Sequence, residues 1–461
     1  MRVTPPGGVA IITACLKRAG YSNIELFDAT WYPVDEEENF ARPDRDKERA
    51  KRQMFPDYKW ERDDVDSDFF TLEKEDMYSA WRKKVIEYKP DVIISSIVED
   101  TYYLWLKFMD HISDQNFISV VGGVFVTYYP QIFEGKTDYI CRGEGDEVIP
   151  ELMDLISEGE TGHHLQNIHP NPMRPALNVN TLPPTDHEIF DTKSLYRPFQ
   201  GKIIKVATVE TQRGCPFRCK FCNSPSNAGL YKEETDSLFF RHRSVEHIEM
   251  EIQHLIKTID VEFLWIVTDT LLTTSKKKFD AFCDMYSKYK IPFWAQTRPE
   301  LLSPHQAKRL VEIGCKKLNM GVEHGDPQFR KDIIGRVYDN QKAIEAFRIA
   351  REAGLNTTCN FIIGYPYETM ESCMKSVELA AQLGCDDTNA FIFTPYHGTP
   401  MRDMCVDAGF IDKDLIVEMR SDDQGSFLDM PEPYMSKEDI QYMFNNFARL
   451  FREQQRANMS S

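Results

Sequence analysis

Three cysteines, Cys215, Cys219 and Cys222, fall within the string R-G-C-P-F-R-C-K-F-C at a CxxxCxxC spacing. Three thiolates on one short loop suit a small metal cluster, and the loop offers no fourth. A four-iron cubane held by three cysteines leaves one iron free to take a small molecule, whereas an electron-carrying cluster is normally closed by four. Two plainer readings stay open at this point: a zinc site, or three unconnected thiols. Zinc asks for a fourth cysteine or histidine at short range, and the nearest histidine, His242, lies twenty residues beyond Cys222 across a polar stretch.

Such a loop needs elements that bring other side chains to it. Strand-like runs follow one another at Ile203–Val209, Glu262–Val267, Phe293–Gln296, Lys317–Gly321, Thr357–Ile363 and Asp387–Phe393. Helical patterns fill the gaps, as in the spacing of Val245, Ile248, Ile252, Leu255 and Ile256. Six βα units predict a partial β/α barrel, in which the loops leaving the C-terminal strand ends build the active site. The polar features fall at those ends: the cysteine loop after the first strand, Asp269 after the second, Arg298 after the third, Glu323 after the fourth. Gly364-Tyr365-Pro366 and Tyr396-His397-Gly398 follow the fifth and sixth.

The N-terminal part also alternates. Helical patterns at Gly7–Gly20, Met77–Glu87, Tyr102–Ser113 and Glu147–Ser157 are interleaved with strand patterns at Asn23–Asp28, Asp91–Val98, Phe117–Gly123 and Asp138–Cys141. This order predicts an α/β fold, a doubly wound, Rossmann-like parallel sheet with helices on both faces. A segment dense in charge and aromatics, residues 33–75, interrupts it and reads as a folded insertion or lid. His169–Pro198, rich in Pro and Asn without periodicity, suits a linker. Ile440–Phe451 carries an amphipathic helical pattern expected to pack on the barrel.

A length of 461 residues accommodates two domains and a tail. The formal charge of -18, from 73 acidic against 55 basic residues, opposes binding to phosphate backbones and anionic membranes, so a nucleic-acid partner is not expected. Eleven cysteines at irregular spacing, with no N-terminal basic and apolar leader, point to a reducing, cytoplasmic setting. No run approaches the roughly 18 to 20 apolar residues of a membrane span.

Taken with Gly321–Gly325 (G-V-E-H-G), Gly364–Thr369 (G-Y-P-Y-E-T) and Thr394–Pro400 (T-P-Y-H-G-T-P), the cysteine loop resembles the signature of radical S-adenosylmethionine (SAM) enzymes, in particular their cobalamin-binding branch. The resemblance covers residues 200–410 as a TIM-like (β/α)6 radical SAM core. It implies that the three cysteines hold a 4Fe-4S cluster whose open iron takes SAM, and that Phe221, Asp269, Arg298, Glu323 and Gly364 contact SAM. It gives no catalytic residue beyond these. Where the family often has Asp-Asp-x-Phe, this chain has Asp269 followed by Thr270 and Leu272, and His397 stands where proline is common.

Ser95-Ser96-Ile97, then Gly122-Gly123 after 24 intervening residues, with G-G-V-F-V-T at Gly122–Thr127 and D-Y-I-C-R-G-E-G-D-E at Asp138–Glu147, resemble elements of cobalamin-binding Rossmann-like domains. This implies a cobalamin site at Ser95, Ser96, Gly122, Gly123, Thr127, Gly143 and Glu144 within residues 1–168, followed by a linker at 169–199 and, after the core, a helical extension at 411–461. The sequence has no Asp-x-His-x-x-Gly, so cobalt has no candidate histidine. Met1–Gly7 offers no first strand, which the resemblance would place centrally in the sheet.

The implied activity is reductive cleavage of SAM to a 5′-deoxyadenosyl radical, with methylation of an unactivated carbon of a small-molecule or peptide substrate and electrons from a flavodoxin or ferredoxin. The alternatives are an oxidative cyclase or rearrangement enzyme of the same architecture, and a non-catalytic binding protein with a structural metal.

Overall fold

The computed structural model describes residues 5–32, 73–199, 202–418 and 425–460. It divides into two compact units, the first comprising the described residues of Met1–Thr208, Met250–Phe263 and Glu418–Ser421, and the second those of Val209–Glu249, Leu264–Val417 and Asp422–Ser461. The expected insertion at 33–75 lies, but for its last three residues, outside the described residues.

The first unit runs α1 (Gly7–Arg18), α2 (Met77–Tyr88), β1 (Val92–Ser96), α3 (Tyr102–Asp110), β2 (Ile118–Gly122), α4 (Val124–Tyr128), β3 (Tyr139–Ile140) and α5 (Val148–Ser157). Local chemistry sets these bounds: Asp76 caps α2 by accepting from the Ser79 N–H at 2.7 Å, and Lys89 ends it in the left-handed region. The three strands are parallel in the order β1-β2-β3, with Ser95 opposite Val121, Ser96 opposite Gly122 and Val121 opposite Ile140. Their C-terminal ends therefore share one rim. Leu16, Val148 and Leu152 bury against Val120 and Tyr139, so α1 and α5 cover the sheet.

Asn23–Asp28, expected as a strand, forms none. The alternation is present, but the segment has no ladder partner among the described residues, and side-chain patterning alone does not satisfy backbone groups. The end of the expected linker is a strand instead: β4 (Tyr196–Phe199) pairs antiparallel with β5 (Lys202–Val209), Phe199 opposite Lys202.

The second unit continues with β6 (Gln212–Arg213), α6 (Asn223–Thr235), β7 (Arg241–His242), the start of α7 (Val245–Ile259), β8 (Phe263–Ile266), α8 (Lys276–Tyr286), β9 (Phe293–Thr297), α9 (Pro304–Glu312) and β10 (Cys315–Glu323). Then come α10 (Asn340–Glu352), β11 (Thr357–Ile363), α11 (Met370–Leu383), β12 (Asp387–Ile392), α12 (Pro400–Asp407) and α13 (Lys437–Ser460). All six strands expected from the sequence are present, as β5 and β8 to β12. The strands of this unit run parallel in the order β12-β11-β10-β9-β8, the curled sheet of a β/α half barrel. Phe293, Leu318, Met320, Phe361 and Ile363 are fully buried along it. Helix α13 lays Ile440, Met443 and Phe447 onto β11 and α11, as its amphipathic pattern requires.

Candidate active site

The cysteine loop is braced on both flanks. Lys220 donates its N–H to the Ile334 carbonyl at 2.9 Å and its Nζ to the Asp332 carbonyl at 2.7 Å, while its own carbonyl accepts from the Met401 N–H at 3.0 Å. Gly335, at φ +80°, lets the chain pass so close to the Arg218 carbonyl that a Cβ would stand 2.9 Å from it. Cys222 caps α6, its Sγ accepting from the Ser224 N–H at 3.5 Å.

The three thiols stand in different surroundings. Cys215 Sγ is 3.8 Å from Thr270 Oγ1. Burial pushes the Cys215 thiol up, and pushes Cys222 up to about 12, with Asp269 and the other cysteines adding to the rise. Cys219 faces two guanidiniums, Arg336 Nε at 3.2 Å and Arg298 Nη1 at 3.6 Å. Among the described residues no group of three His, Cys, Asp or Glu side chains is drawn together as a single metal ion would need. A cubane places each cysteine on a different iron and spreads its donors wider. Three thiols on one loop, with Cys215 and Cys222 desolvated, fit such a group.

Glu323 owes its position to the end of β10. The register with β11 shifts between Gly321 and Glu323, and Glu323 sits at φ +73°, a conformation rare for a side-chain-bearing residue. The turn folds its carboxylate back over Gly321, where a Cβ would collide with Oε1. Arg336 Nη2 reaches Glu323 Oε1 at 3.0 Å, and Nη1 donates to the Gly321 carbonyl at 2.5 Å. Burial drives the Glu323 carboxyl up, with Arg336 and Arg298 pulling against it. Burial works against the Arg336 charge too, but Glu323 and Cys219 outweigh it and hold the guanidinium well above its ordinary value.

Behind this carboxylate lies a wholly buried scaffold. Glu368 Oε2 accepts from the Gly364 and Tyr365 N–H groups at 2.6 and 3.0 Å, and Oε1 meets His324 Nε2 at 3.0 Å. Because His324 Nδ1 accepts from the Asp326 N–H at 3.0 Å, Nε2 is the donor toward Glu368. One side chain thus ties the ends of β10 and β11. The space a Cβ would take at Gly364, φ +75°, is filled by Ile440 of α13.

An open cavity of about 470 Å³ borders the loop, lined by Glu210, Arg213, Cys222, Ser224, Asp269 and Tyr396 among others, and by Phe221. Ser224 Oγ donates to Asp269 Oδ2 at 2.7 Å. Asp269 opens on the cavity yet is walled closely enough that burial lifts its carboxyl, the Ser224 hydroxyl acting the other way. Arg298 is committed on every side: Nη2 lies 2.5 Å and Nε 2.7 Å from Glu300 Oε1, Nη1 faces Cys219, and the guanidinium lies 3.8 Å from the Phe217 ring centre. Of the expected SAM contacts, Phe221 and Asp269 line the cavity, Glu323 and Arg298 converge on the Cys219 side of the loop, and Gly364 backs the scaffold. Arg336, Ser224, Glu300 and Glu210 were not among the expected residues. Only the Gly335-Arg336 pair, a turn residue followed by a charge, gave the sequence any sign of Arg336.

In the first unit, Ser95, Ser96, Gly122 and Gly123 stand at the shared rim of β1 and β2. Gly123, at φ +115°, is needed for packing, since a Cβ there would be 2.5 Å from the Ile97 carbonyl oxygen. Thr127 Oγ1 donates to the Gly123 carbonyl and accepts from the Gly143 N–H, both at 2.9 Å, and so joins the end of β2 to the loop after β3. Glu144 accepts from the Leu177 N–H at 3.1 Å. A rim of small residues at parallel strand ends fits a ligand laid across it.

Residues 209–380 match the model of the Radical SAM superfamily, so that stretch is similar to radical SAM domains. The chain is 26% identical over 339 residues to an uncharacterized methyltransferase of Pyrococcus horikoshii, covering 70% of this chain and 71% of that one. It is 25% identical over 426 residues to the anaerobic magnesium-protoporphyrin IX monomethyl ester cyclase of Cereibacter sphaeroides, covering 86% of this chain but only 60% of the cyclase. In fold it is similar to the radical S-adenosylmethionine methyltransferase TsrM from Kitasatospora setae, solved with cobalamin and a 4Fe-4S cluster bound, at TM-score 0.66 and 15% identity over 98% of this chain and 87% of that one.

Proposed function

We propose that this chain is a cobalamin-dependent radical SAM enzyme that cleaves SAM reductively and methylates an unactivated carbon of a small-molecule or peptide substrate. One observation carries the reading: three thiols on one loop beside an open cavity, with the Glu323 carboxylate held against the same loop through Arg336. The family match over residues 209–380 and the similarity to methyltransferases support it.

Cys215, Cys219 and Cys222 would hold a 4Fe-4S cluster. When bound, that cluster supplies the electron that splits SAM to methionine and a 5′-deoxyadenosyl radical. Glu323 is the acceptor for the ammonium or ribose hydroxyls of SAM, and its backbone turn fixes the direction of approach. Arg298, Asp269, Phe221 and Gly364 are the other candidates for holding SAM, with Asp269 oriented by Ser224. The Phe221 and Tyr396 walls limit water and stray hydrogen donors in the cavity.

Residues 1–168 would form the cobalamin-binding domain, with Ser95, Ser96, Gly122, Gly123, Thr127, Gly143 and Glu144 along its rim, and residues 200–410 the radical SAM core. Cobalamin, when bound, supplies the methyl group. A flavodoxin or ferredoxin would deliver the electron. The enzyme would be cytoplasmic; among the described residues no helix is long and apolar enough to cross a membrane.

Anaerobic reconstitution tests the reading. SAM with a strong reductant should release 5′-deoxyadenosine from the wild type and not from Cys215→Ala. The second reading, an oxidative cyclase or rearrangement enzyme, is favoured by the similarity to the Cereibacter cyclase over 86% of this chain. A visible spectrum showing iron-sulfur bands alone after cobalamin is supplied would select it.

A further inference from the structure

The three thiols receive unequal polar support. Cys215 has the Phe217 backbone N–H and, at 3.8 Å, the Thr270 hydroxyl, and Cys222 has the Ser224 backbone N–H, all of them neutral groups. Cys219 is 6% exposed and bracketed by two full positive charges. Neither charge is free to swing away. Arg336 is held by the Gly321 carbonyl and Glu323, with its guanidinium 5.8 Å from the Phe221 ring centre. Arg298 is held by Glu300 and lies on Phe217. The two rings flank Cys219 in sequence, so each arginine is stacked on the loop whose sulfur it faces.

We infer that Arg336 is a positioning residue with two ends: it fixes Glu323 and, through Nε, sets the charge at the Cys219 sulfur, so that the reduction potential of the cluster and the binding of SAM share one side chain. Arg298 assists at the same sulfur from further away. The inference rests on the cluster reading of the cysteine loop. The physical ground is general: reduction adds a negative charge to the cluster, and hydrogen bonds and positive charge at a ligating sulfur stabilise the more negative state and raise the potential. A buried, doubly anchored guanidinium exerts this effect with little screening from water.

The experiment is an EPR redox titration of the anaerobically reconstituted full chain without SAM, comparing wild type, Arg336→Gln and Arg298→Gln. Arg336→Gln is expected to lower the midpoint potential enough to change the reduced fraction about tenfold at a fixed applied potential, about 59 mV for one electron. Arg298→Gln should move it the same way by less. A merely structural role for Arg336 would alter cluster loading or thermal stability but leave the potential of the loaded fraction where it was. An unchanged or raised potential in loaded Arg336→Gln overturns the inference; if that variant cannot be loaded, the same result in Arg298→Gln does. A wild-type sample with no reduced 4Fe-4S signal overturns the cluster reading instead.

Discussion

Ser224 Oγ and Asp269 Oδ2, 2.7 Å apart, join the first turn of α6 to the loop leaving β8. Ser224 is the second residue after the last cysteine, so this bond ties the cysteine loop to the cavity's carboxylate. Burial raises the Asp269 carboxyl and the Ser224 hydroxyl lowers it. If Asp269 works as the carboxylate, SAM cleavage should fall away on the acid side at a pH above the ordinary aspartate range, about 3.9. Ser224→Ala removes the lowering influence and should move that limb to higher pH, with a several-fold loss at pH values near it. The check is 5′-deoxyadenosine formation against pH in both proteins; coincident acid limbs would rule out the role.

Gly321 and Glu323 act as one unit because the carboxylate lies where a Gly321 side chain would be. Gly321→Ala should therefore act like Glu323→Gln. Losing a charge-assisted hydrogen bond of about 1.5–3 kcal/mol raises the SAM dissociation constant at least about tenfold. The double variant should be no worse than either single one, since the second change removes nothing that remains. Equilibrium dialysis with labelled SAM decides it: additive losses would mean that the two residues contact SAM separately.

Much of this was legible in the sequence where local rules coincide with tertiary ones. The six strands were readable because apolar runs between helical patterns have few alternatives in an α/β fold, and the polar strand ends followed from them. Asn23–Asp28 was misread because alternation reports a face, whereas a strand also needs a neighbour to bond with. Gly123 was read as part of a cobalamin site, and the backbone of Ile97 requires a glycine there in any case. Arg336, marked only by the glycine before it, was missed for a further reason. It follows a π-turn at Arg330–Ile334 and reaches back to Cys219, 117 residues earlier, by virtue of a loop folded on its own hydrogen bonds. Arg330 donates to the His324 carbonyl at 2.6 Å, Tyr338 Oη to the Val322 carbonyl at 2.9 Å and Asn340 Nδ2 to the Gly325 carbonyl at 2.8 Å. No periodicity encodes such a set.

Glu368 should matter for folding more than for chemistry. Its carboxylate takes two backbone N–H groups and the His324 Nε2–H with no exposure at all. Glu368→Ala leaves three buried donors unpaired and should destabilise the protein by about 3 kcal/mol or more. Glu368→Gln keeps an acceptor for some of them and should cost less. Hydrogen exchange of peptides spanning residues 361–368 would report the difference, and equal protection in wild type and Glu368→Ala would refute the scaffold role.

His187 in the first unit makes a pH prediction whose sign is fixed by its partners. The ring is fully buried; its Nε2 accepts from the Thr208 N–H at 3.2 Å, so Nδ1 donates to Thr185 Oγ1 at 3.1 Å, and Thr185 in turn donates to Glu251 Oε1 at 2.6 Å. That chain of donors suits the neutral imidazole, and burial lowers the His187 pKa, with Glu251 partly opposing it. Below the ordinary histidine value of about 6.5 the unfolded chain takes up a proton that the folded one resists, so stability present at neutral pH is lost as pH falls through that window. His187→Gln should be less stable at neutral pH but flatter in its dependence between about pH 7 and 5.5. Glu251→Gln removes the influence that raises the histidine, lowers its pKa further and should extend the loss to lower pH. Hydrogen exchange of peptides covering residues 185–208, followed against pH, separates these outcomes; a wild-type profile as flat as that of His187→Gln would mean that the folded and unfolded chains take up the proton alike, so that the fold does not favour the neutral imidazole.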